Sequence, residues 1–143
     1  MPGASADVLE ESVVSEYAAR LGAVDAMRML QARGLACDGQ LTVAGLLLFA
    51  ELSQRFMPEA FVRVVRYRGT ERGVGAHQQV TQDVRIEGPI PRQIPEAQRV
   101  VAELQPTRRA FVASAGRFGP MALVPEEVWL EGLVNAVIHR SYG

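Results

Sequence analysis

Between Val43 and Leu52 the chain reads VAGLLLFAEL, and only Glu51 in that stretch is charged. Wound at about 3.6 residues per turn, these side chains point in every direction. A helix here has no polar face to offer water, so it must be covered on most sides. The rest of the chain has to supply that cover. Thr42 stands in front of the run as an N-cap. Gly45 lies inside it, at a cost of about 1 kcal/mol relative to Ala, and is expected to let another backbone come close. The unbroken apolar part, Val43–Ala50, falls far short of the ~20 residues that cross a bilayer. No membrane partner is expected.

Two amphipathic segments precede it. Val8, Leu9, Val13, Val14, Tyr17, Ala18 and Leu21 recur at helical spacing, which predicts a helix over Asp7–Leu21 that stops at Gly22. Val24, Met27 and Leu30 share one broad face of a second helix, Ala23–Arg33, before Gly34. Together they form a helical hairpin, residues 1–34, behind a loose terminus of residues 1–6. Cys37-Asp38-Gly39-Gln40 reads as a turn, because Asp-Gly tolerates left-handed backbone.

Residues 35–124 read as a small mixed α/β region. Phe61, Val62, Val64, Val65 and Tyr67 predict a strand over residues 61–69, with Arg63, Arg66 and Arg68 on a wet face. Gly69–Gln78 reads as a polar loop, and Gln79–Glu87 as a second strand. Pro89, Pro91 and Pro95 argue against regular structure until a helix over Pro95–Leu104. Arg109–Ala113 and Met121–Val124 read as two short strands around the turn SAGRFGP. Pro125, Glu126 and Glu127 then open a last helix that runs to about Arg140. The fold class is therefore α+β: a helical hairpin, short antiparallel strands and a C-terminal helix.

The net charge is −1, so bulk charge does not point to nucleic acid or to a membrane surface. All fifteen basic residues are Arg. Cys37 is the lone cysteine; it cannot form an internal disulfide and is expected to be a small buried side chain in a reducing cytoplasm. No basic start followed by an apolar run marks a signal peptide. Arg55, Arg63, Arg66, Arg68 and Arg72 form a basic stretch, but Glu51, Glu59 and Glu71 lie among them and no aromatics interleave. A salt-bridged or solvated strand face is the expectation. Gly73-Val74-Gly75 lacks the strand-to-helix context of a phosphate loop, His77 is expected to be exposed, and Asp83 and Glu87 share a strand face without forming an acid/base pair.

The chemistry concentrates in the last helix. Glu127, Glu131, Asn135 and His139 stand four apart, on one face. The remaining positions hold Trp129, Leu130, Leu133, Val134, Val137 and Ile138. A solvated stripe usually carries Lys, Arg and Glu rather than Asn and His, and Gly132 beside it is a poor helix residue. A carboxylate can take a proton from an attacking water. An amide oxygen one turn on is a hard ligand suited to Mg²⁺. His139 and Arg140 at the helix end can hold phosphate or cap carbonyls.

The pattern Glu131-Gly132-Leu133-Val134-Asn135-Ala136 resembles the N-box, E-x-x-x-N-A, of the GHKL ATPases. The longer run from Pro125 to Tyr142 is similar to P-x-x-A-L-R-E-A-L-V-N-A-L-V-H-R-D-Y in a divergent bacterial branch of RecG-like transcriptional regulators and ATP-dependent DNA helicase-related proteins. Residues 41–71 resemble a second block of that family, L-T-N-A-G-L-L-L-F-G-x-x-P-Q-x-x-x-P-x-A-x-V-x-x-x-R-x-x-G, in the expected order. Ser141 stands where the family has Asp.

The resemblance implies a parent protein with DNA bound through other domains, ATP and Mg²⁺ as cofactors, and room for a homodimer. It implies that residues 125–143 begin a GHKL-like ATPase domain, with Glu131 as general base, Asn135 as Mg²⁺ ligand, and His139 and Arg140 matching the family's H-R. The chain is then expected to be a piece of that longer protein. Without the later glycine-rich nucleotide loops, it serves as a connecting or dimerising module and hydrolyses no ATP alone. A different reading makes the helices of residues 7–33 or 41–52 a winged-helix-like DNA-binding or protein-interaction unit.

Overall fold

The structure, a computed structural model, describes residues 4–69 and 79–142. The architecture is α+β, with α1 (Glu11–Arg20), α2 (Ala26–Ala32), β1 (Ala36–Cys37), β2 (Gln40–Leu41), α3 (Val43–Phe49), β3 (Val62–Tyr67), β4 (Val80–Ile86), α4 (Ile90–Leu104), β5 (Thr107–Val112), β6 (Arg117–Ala122) and α5 (Glu126–Ile138) in chain order. The strands form three two-stranded pairs, β1–β2, β3–β4 and β5–β6. No helix is long and apolar enough to cross a membrane among the described residues.

The chain divides into two compact units. One comprises Met1–Val62, Ile86–Gln93 and Ser141–Gly143; the other comprises Arg63–Arg85 and Ile94–Arg140.

In the first unit α3 is the centre. Gly45, Leu46, Leu47 and Phe49 are buried, and Thr42 caps the helix by accepting the Gly45 N–H at 3.2 Å while donating to the Gly34 carbonyl at 3.1 Å. A Cβ at Gly45 would run into the backbone carbonyl of Leu35. This is the close approach expected from a glycine in that helix. Val13, Val14 and Ala18 from α1, Met29 and Leu30 from α2, and Leu41, Met57 and Ala60 complete the core. Tyr17 packs on Phe49 with ring centroids 5.2 Å apart.

Several boundaries differ from expectation, each for a local reason. The first helix begins at Glu11, not Asp7, because the preceding backbone is used elsewhere. Leu9 bridges Ala50, the Glu10 N–H donates to the Phe49 carbonyl at 2.7 Å, and the Glu51 N–H donates to Val8 at 2.9 Å. Those bonds also end α3 at Phe49 rather than Leu52. The terminus is not loose throughout: Ala4 is buried and its carbonyl accepts the Leu41 N–H at 2.9 Å. Asp25 caps α2 through the Arg28 N–H, so that helix starts at Ala26 and leaves Val24 wholly exposed, off the face it was expected to share.

Asp38 (φ 49°) and Gly39 (φ 76°) both take left-handed backbone between the paired ends Cys37 and Gln40. That geometry matches the twist of a two-residue hairpin. Cys37, expected to be buried, is exposed there, because the strand alternation turns Ala36 inward and Cys37 outward.

The first unit also contains a fully satisfied polar cluster. Gln54 accepts the Gly88 N–H at 3.0 Å and donates to the Gly88 carbonyl at 3.2 Å and to Ala60. Gln93 donates to Ala60 at 2.9 Å and Gly88 at 2.6 Å, and Ser53 donates to Gly88 at 3.2 Å. The prolines near it do not delay the helix: α4 begins at Ile90, with Pro91 in its first turn and Pro95 inside. A proline in the first turn gives up an N–H that has no intrahelical acceptor there. Pro95 gives up the bond to Pro91.

In the second unit β3 and β4 pair through the Arg68 N–H to Gln79 (2.7 Å) and Thr81 Oγ1 to the Arg66 carbonyl (3.1 Å). Contacts that run backwards along one strand as they advance along the other make the pair antiparallel. Arg63 meets Asp83 in a two-pronged ion pair at 2.8 and 2.5 Å. Arg63, Arg66 and Arg68 are all exposed, Arg63 and Arg66 on opposite faces of the strand. Gly73, Gly75, His77, Arg72 and Glu71 lie outside the described residues, as does most of the loop read over Gly69–Gln78. β5 and β6 are longer than the sequence suggests, and β6 starts at Arg117, inside what reads as a turn.

Candidate functional site: the exposed side of the C-terminal helix

Gln105 and Gln98 position α5. With its amide oriented so that both neighbours are satisfied, Gln105 donates to the Val124 carbonyl at 2.9 Å and accepts from Trp129 Nε1. Gln98 donates to Glu126 in the first turn, and the Leu123 N–H donates to the Pro106 carbonyl at 3.0 Å. Pro125 stands at the N-cap, and Glu126 and Glu127 occupy the first turn, where negative charge is favoured. His139 is the C-cap, its N–H donating to the Asn135 carbonyl at 3.0 Å.

The helix turns Val137 inward and half-buries Trp129, Leu130, Leu133 and Val134. Glu127, Glu131, Asn135 and His139 are all exposed. The side chains of Glu131, Asn135 and His139 make no hydrogen bond or ion pair with the described residues. The structure therefore brings three of the four candidate residues onto one open side. Arg140 is not among them: it lies past the helix end, half-buried and engaged within the chain.

The open side is not a purely polar stripe. Val128 and Ile138 are 66 % and 63 % exposed and flank it on the helical wheel, and Gly132 has open space around it. A helix that simply faces water keeps its apolar residues off that side. Here polar and apolar residues are left uncovered together.

The donor set is small. Among the described residues no three His, Cys, Asp or Glu side chains converge as a metal cluster. Asn135 supplies one amide oxygen and Glu131 one carboxylate a turn away. In the first unit, a cleft of about 340 Å³ is lined by Val13, Glu16, Tyr17, Arg20, Leu48, Phe49 and Pro91. The Glu16–Arg20 ion pair (2.6 Å) stands at its edge. It holds no nucleophile or metal-ligating cluster.

Of the helices in the alternative reading, those of residues 7–33 carry exposed Arg20, Arg28 and Arg33. α3 has no charged residue and buries four of its seven side-chain positions. The tip of the β1–β2 hairpin carries Asp38 rather than a basic residue. An exposed aromatic pair, Phe111 and Phe118, was not anticipated from the sequence. Comparison with models of protein families, with curated proteins and with solved structures finds no match to the chain.

Proposed function

We propose that the chain is a connecting module of a RecG-like, GHKL-type ATP-binding regulator, and that α5 supplies one wall of a nucleotide site completed by further protein. The observation that carries this reading is the open side of α5. Glu131 and Asn135 stand one turn apart, without a side-chain partner among the described residues, beside uncovered Val128 and Ile138. Such a surface is suited to being covered by the next part of a protein.

The residues fit the implied Mg²⁺ in chemistry. Mg²⁺ keeps several waters and takes phosphate oxygens, so one or two protein ligands suffice. Asn135 would hold it through the amide oxygen; when bound, the ion would offset charge on the phosphates. Glu131 takes a proton from the attacking water as general base. Gly132 leaves room for a close approach. His139, at the end of the same side, is placed to donate to a phosphate oxygen. The chain alone provides a base and one ligand, and no hydrolysis is expected of it.

Calorimetric titration of Mg²⁺–ATP tests the reading, on this chain and on a protein carrying about one further domain after Gly143. Binding by the longer protein alone, abolished by Asn135→Ala, is the expected result. Glu131→Gln should keep binding and lose turnover. Absence of binding in the longer protein would refute it and leave the stripe a structural feature.

A further inference from the structure

The β5–β6 hairpin carries a surface that the α5 reading does not use. Phe111 and Phe118 are directly opposed across the two strands. Their rings meet edge to face, with centroids 5.6 Å apart and planes at 70°. Phe111 is 55 % and Phe118 64 % exposed. Each residue thus keeps more than half of its surface in water, an unfavourable place for two aromatics on one short hairpin.

The charge around them has one sign. No Asp or Glu occurs between Glu103 and Glu126, while Arg108, Arg109 and Arg117 all lie in that interval. All three are exposed, and none forms an ion pair among the described residues. This contrasts with Arg63 and Arg99, which are held by Asp83 and by Glu96 and Glu103. The register puts Arg109 on the same face as Phe111 and Phe118, since opposed and alternate residues share a side. An open groove of about 390 Å³ is bordered by Thr107, Arg108, Arg109, Phe118, Gly119 and Pro120. Arg108 and Arg117 alternate to the other face of the hairpin, but each is next in sequence to Arg109 or Phe118, inside the ~8 Å over which charges act at physiological salt.

We propose that this hairpin binds single-stranded nucleic acid, with bases stacking on Phe111 and Phe118, a backbone phosphate meeting Arg109 on the same face, and Arg108 and Arg117 drawing the flanking phosphates from the hairpin's other side. Charge complementarity selects a polyanion. The exposed aromatic pair selects one with planar faces to stack, because every base has a π-face and the contact is tolerant of sequence. A duplex hides those faces in its own stack. An acidic peptide would satisfy the arginines and leave the rings without a matching partner. The proposal is independent of the nucleotide reading of α5.

The test is fluorescence anisotropy of a labelled oligothymidylate with the whole chain at low salt, beside a duplex of equal length. Preferential binding of the single strand is expected. With up to three phosphates neutralised, the logarithm of affinity should fall against the logarithm of salt with a slope no steeper than about −2. Arg109→Gln should reduce that slope by about 0.7. Phe118→Ala should weaken binding roughly fivefold or more, and Phe118→Trp should preserve it. Circular dichroism checks that each variant is folded; if Phe118→Ala is not, the Trp and Gln variants still decide. Four results would overturn the proposal: no binding at low salt; a duplex bound as tightly as the single strand; displacement by polyglutamate with Phe118→Ala unchanged, which marks an acidic-peptide surface; or self-association lost in Phe118→Ala without oligonucleotide binding, which marks a contact with a second copy.

Discussion

Gly45 and Gly132 both lie inside helices, and the same substitution should move stability in opposite directions at the two sites. Helix propensity alone favours Ala over Gly by about 1 kcal/mol. At Gly132 nothing lies within 4 Å of an added Cβ, so Gly132→Ala should keep most of that gain. At Gly45 the Cβ meets the Leu35 carbonyl oxygen, with the Leu35 carbonyl carbon at 3.1 Å and a Leu41 methyl at 3.4 Å. Backbone must move. Overpacking of this kind costs about 1–3 kcal/mol. The Leu35 carbonyl also accepts the Thr42 N–H at 3.0 Å. Displacing it loosens a bond worth about 1 kcal/mol. The propensity gain offsets roughly that much, so Gly45→Ala should destabilise by about 1–3 kcal/mol. For a chain of this size 1 kcal/mol shifts the melting temperature by about 3–4 °C. Thermal unfolding followed by circular dichroism should thus show a drop of roughly 3–12 °C for Gly45→Ala and a rise of up to about 4 °C for Gly132→Ala. Trp129 fluorescence gives a second probe, placed in the other unit from Gly45. A Gly45→Ala protein as stable as the parent would refute the close contact with Leu35.

Three further outcomes are expected. Gln54→Leu leaves the buried Gly88 N–H without the acceptor it now has at 3.0 Å, and should cost about 1–3 kcal/mol in urea unfolding; a loss below about 0.5 kcal/mol would contradict the cluster's role. The hydrogen-bonded Arg63 guanidinium holds the Asp83 carboxyl below its ordinary range. A depressed carboxyl contributes stability that is present above the unfolded value, near pH 4, and is lost as pH falls through the folded value. Asp83→Asn should therefore flatten part of the acid limb of a melting-temperature profile, and added salt should shrink the difference, since the pair is exposed. Cys37, exposed at its hairpin, should react with a thiol reagent in the native protein at a rate close to that in denaturant; slow native labelling would contradict its exposure.

Much of the fold was legible because its signals are local. Thr42 before an apolar run, Asp38-Gly39 between short extended segments, and Glu126-Glu127 after Pro125 each act within a turn or two of chain. Gly45 could be read because a poor helix former amid good ones implies an external reason. What escaped was set by distant partners. Nothing near Val8 or Ala50 says that their backbone groups bond across the unit and cut both helices short. Cys37 was misplaced because type-average burial was applied where strand alternation decides. Pro91 and Pro95 were weighed as breakers, although the first turn of α4 tolerates Pro91 and the helix continues through Pro95 at the loss of one backbone bond. In the candidate site, four-residue spacing sufficed to put Glu131, Asn135 and His139 on one side. The exposure of Val128 and Ile138 beside them was not legible, since apolar residues read as core. The hairpin pair was hidden for a related reason: Phe111 and Phe118 face each other only once the register is known.

The first unit is discontinuous in the chain, and Ser53 and Gln54 reach Gly88 across 34–35 residues. Closing a flexible loop of that length costs on the order of 3 kcal/mol. On a ribosome, the polar cluster must wait for Gly88 and Gln93 to be synthesised, while α1, α2 and α3 can already collapse on one another. Between those moments the nascent unit holds its apolar centre with Gln54 lacking its Gly88 partner. No single proteolytic cut or truncation separates the two units, because each is assembled from separated stretches of chain. Dissection of this protein therefore calls for replacing two stretches, Arg63–Arg85 and Ile94–Arg140, with joining linkers rather than shortening from either end.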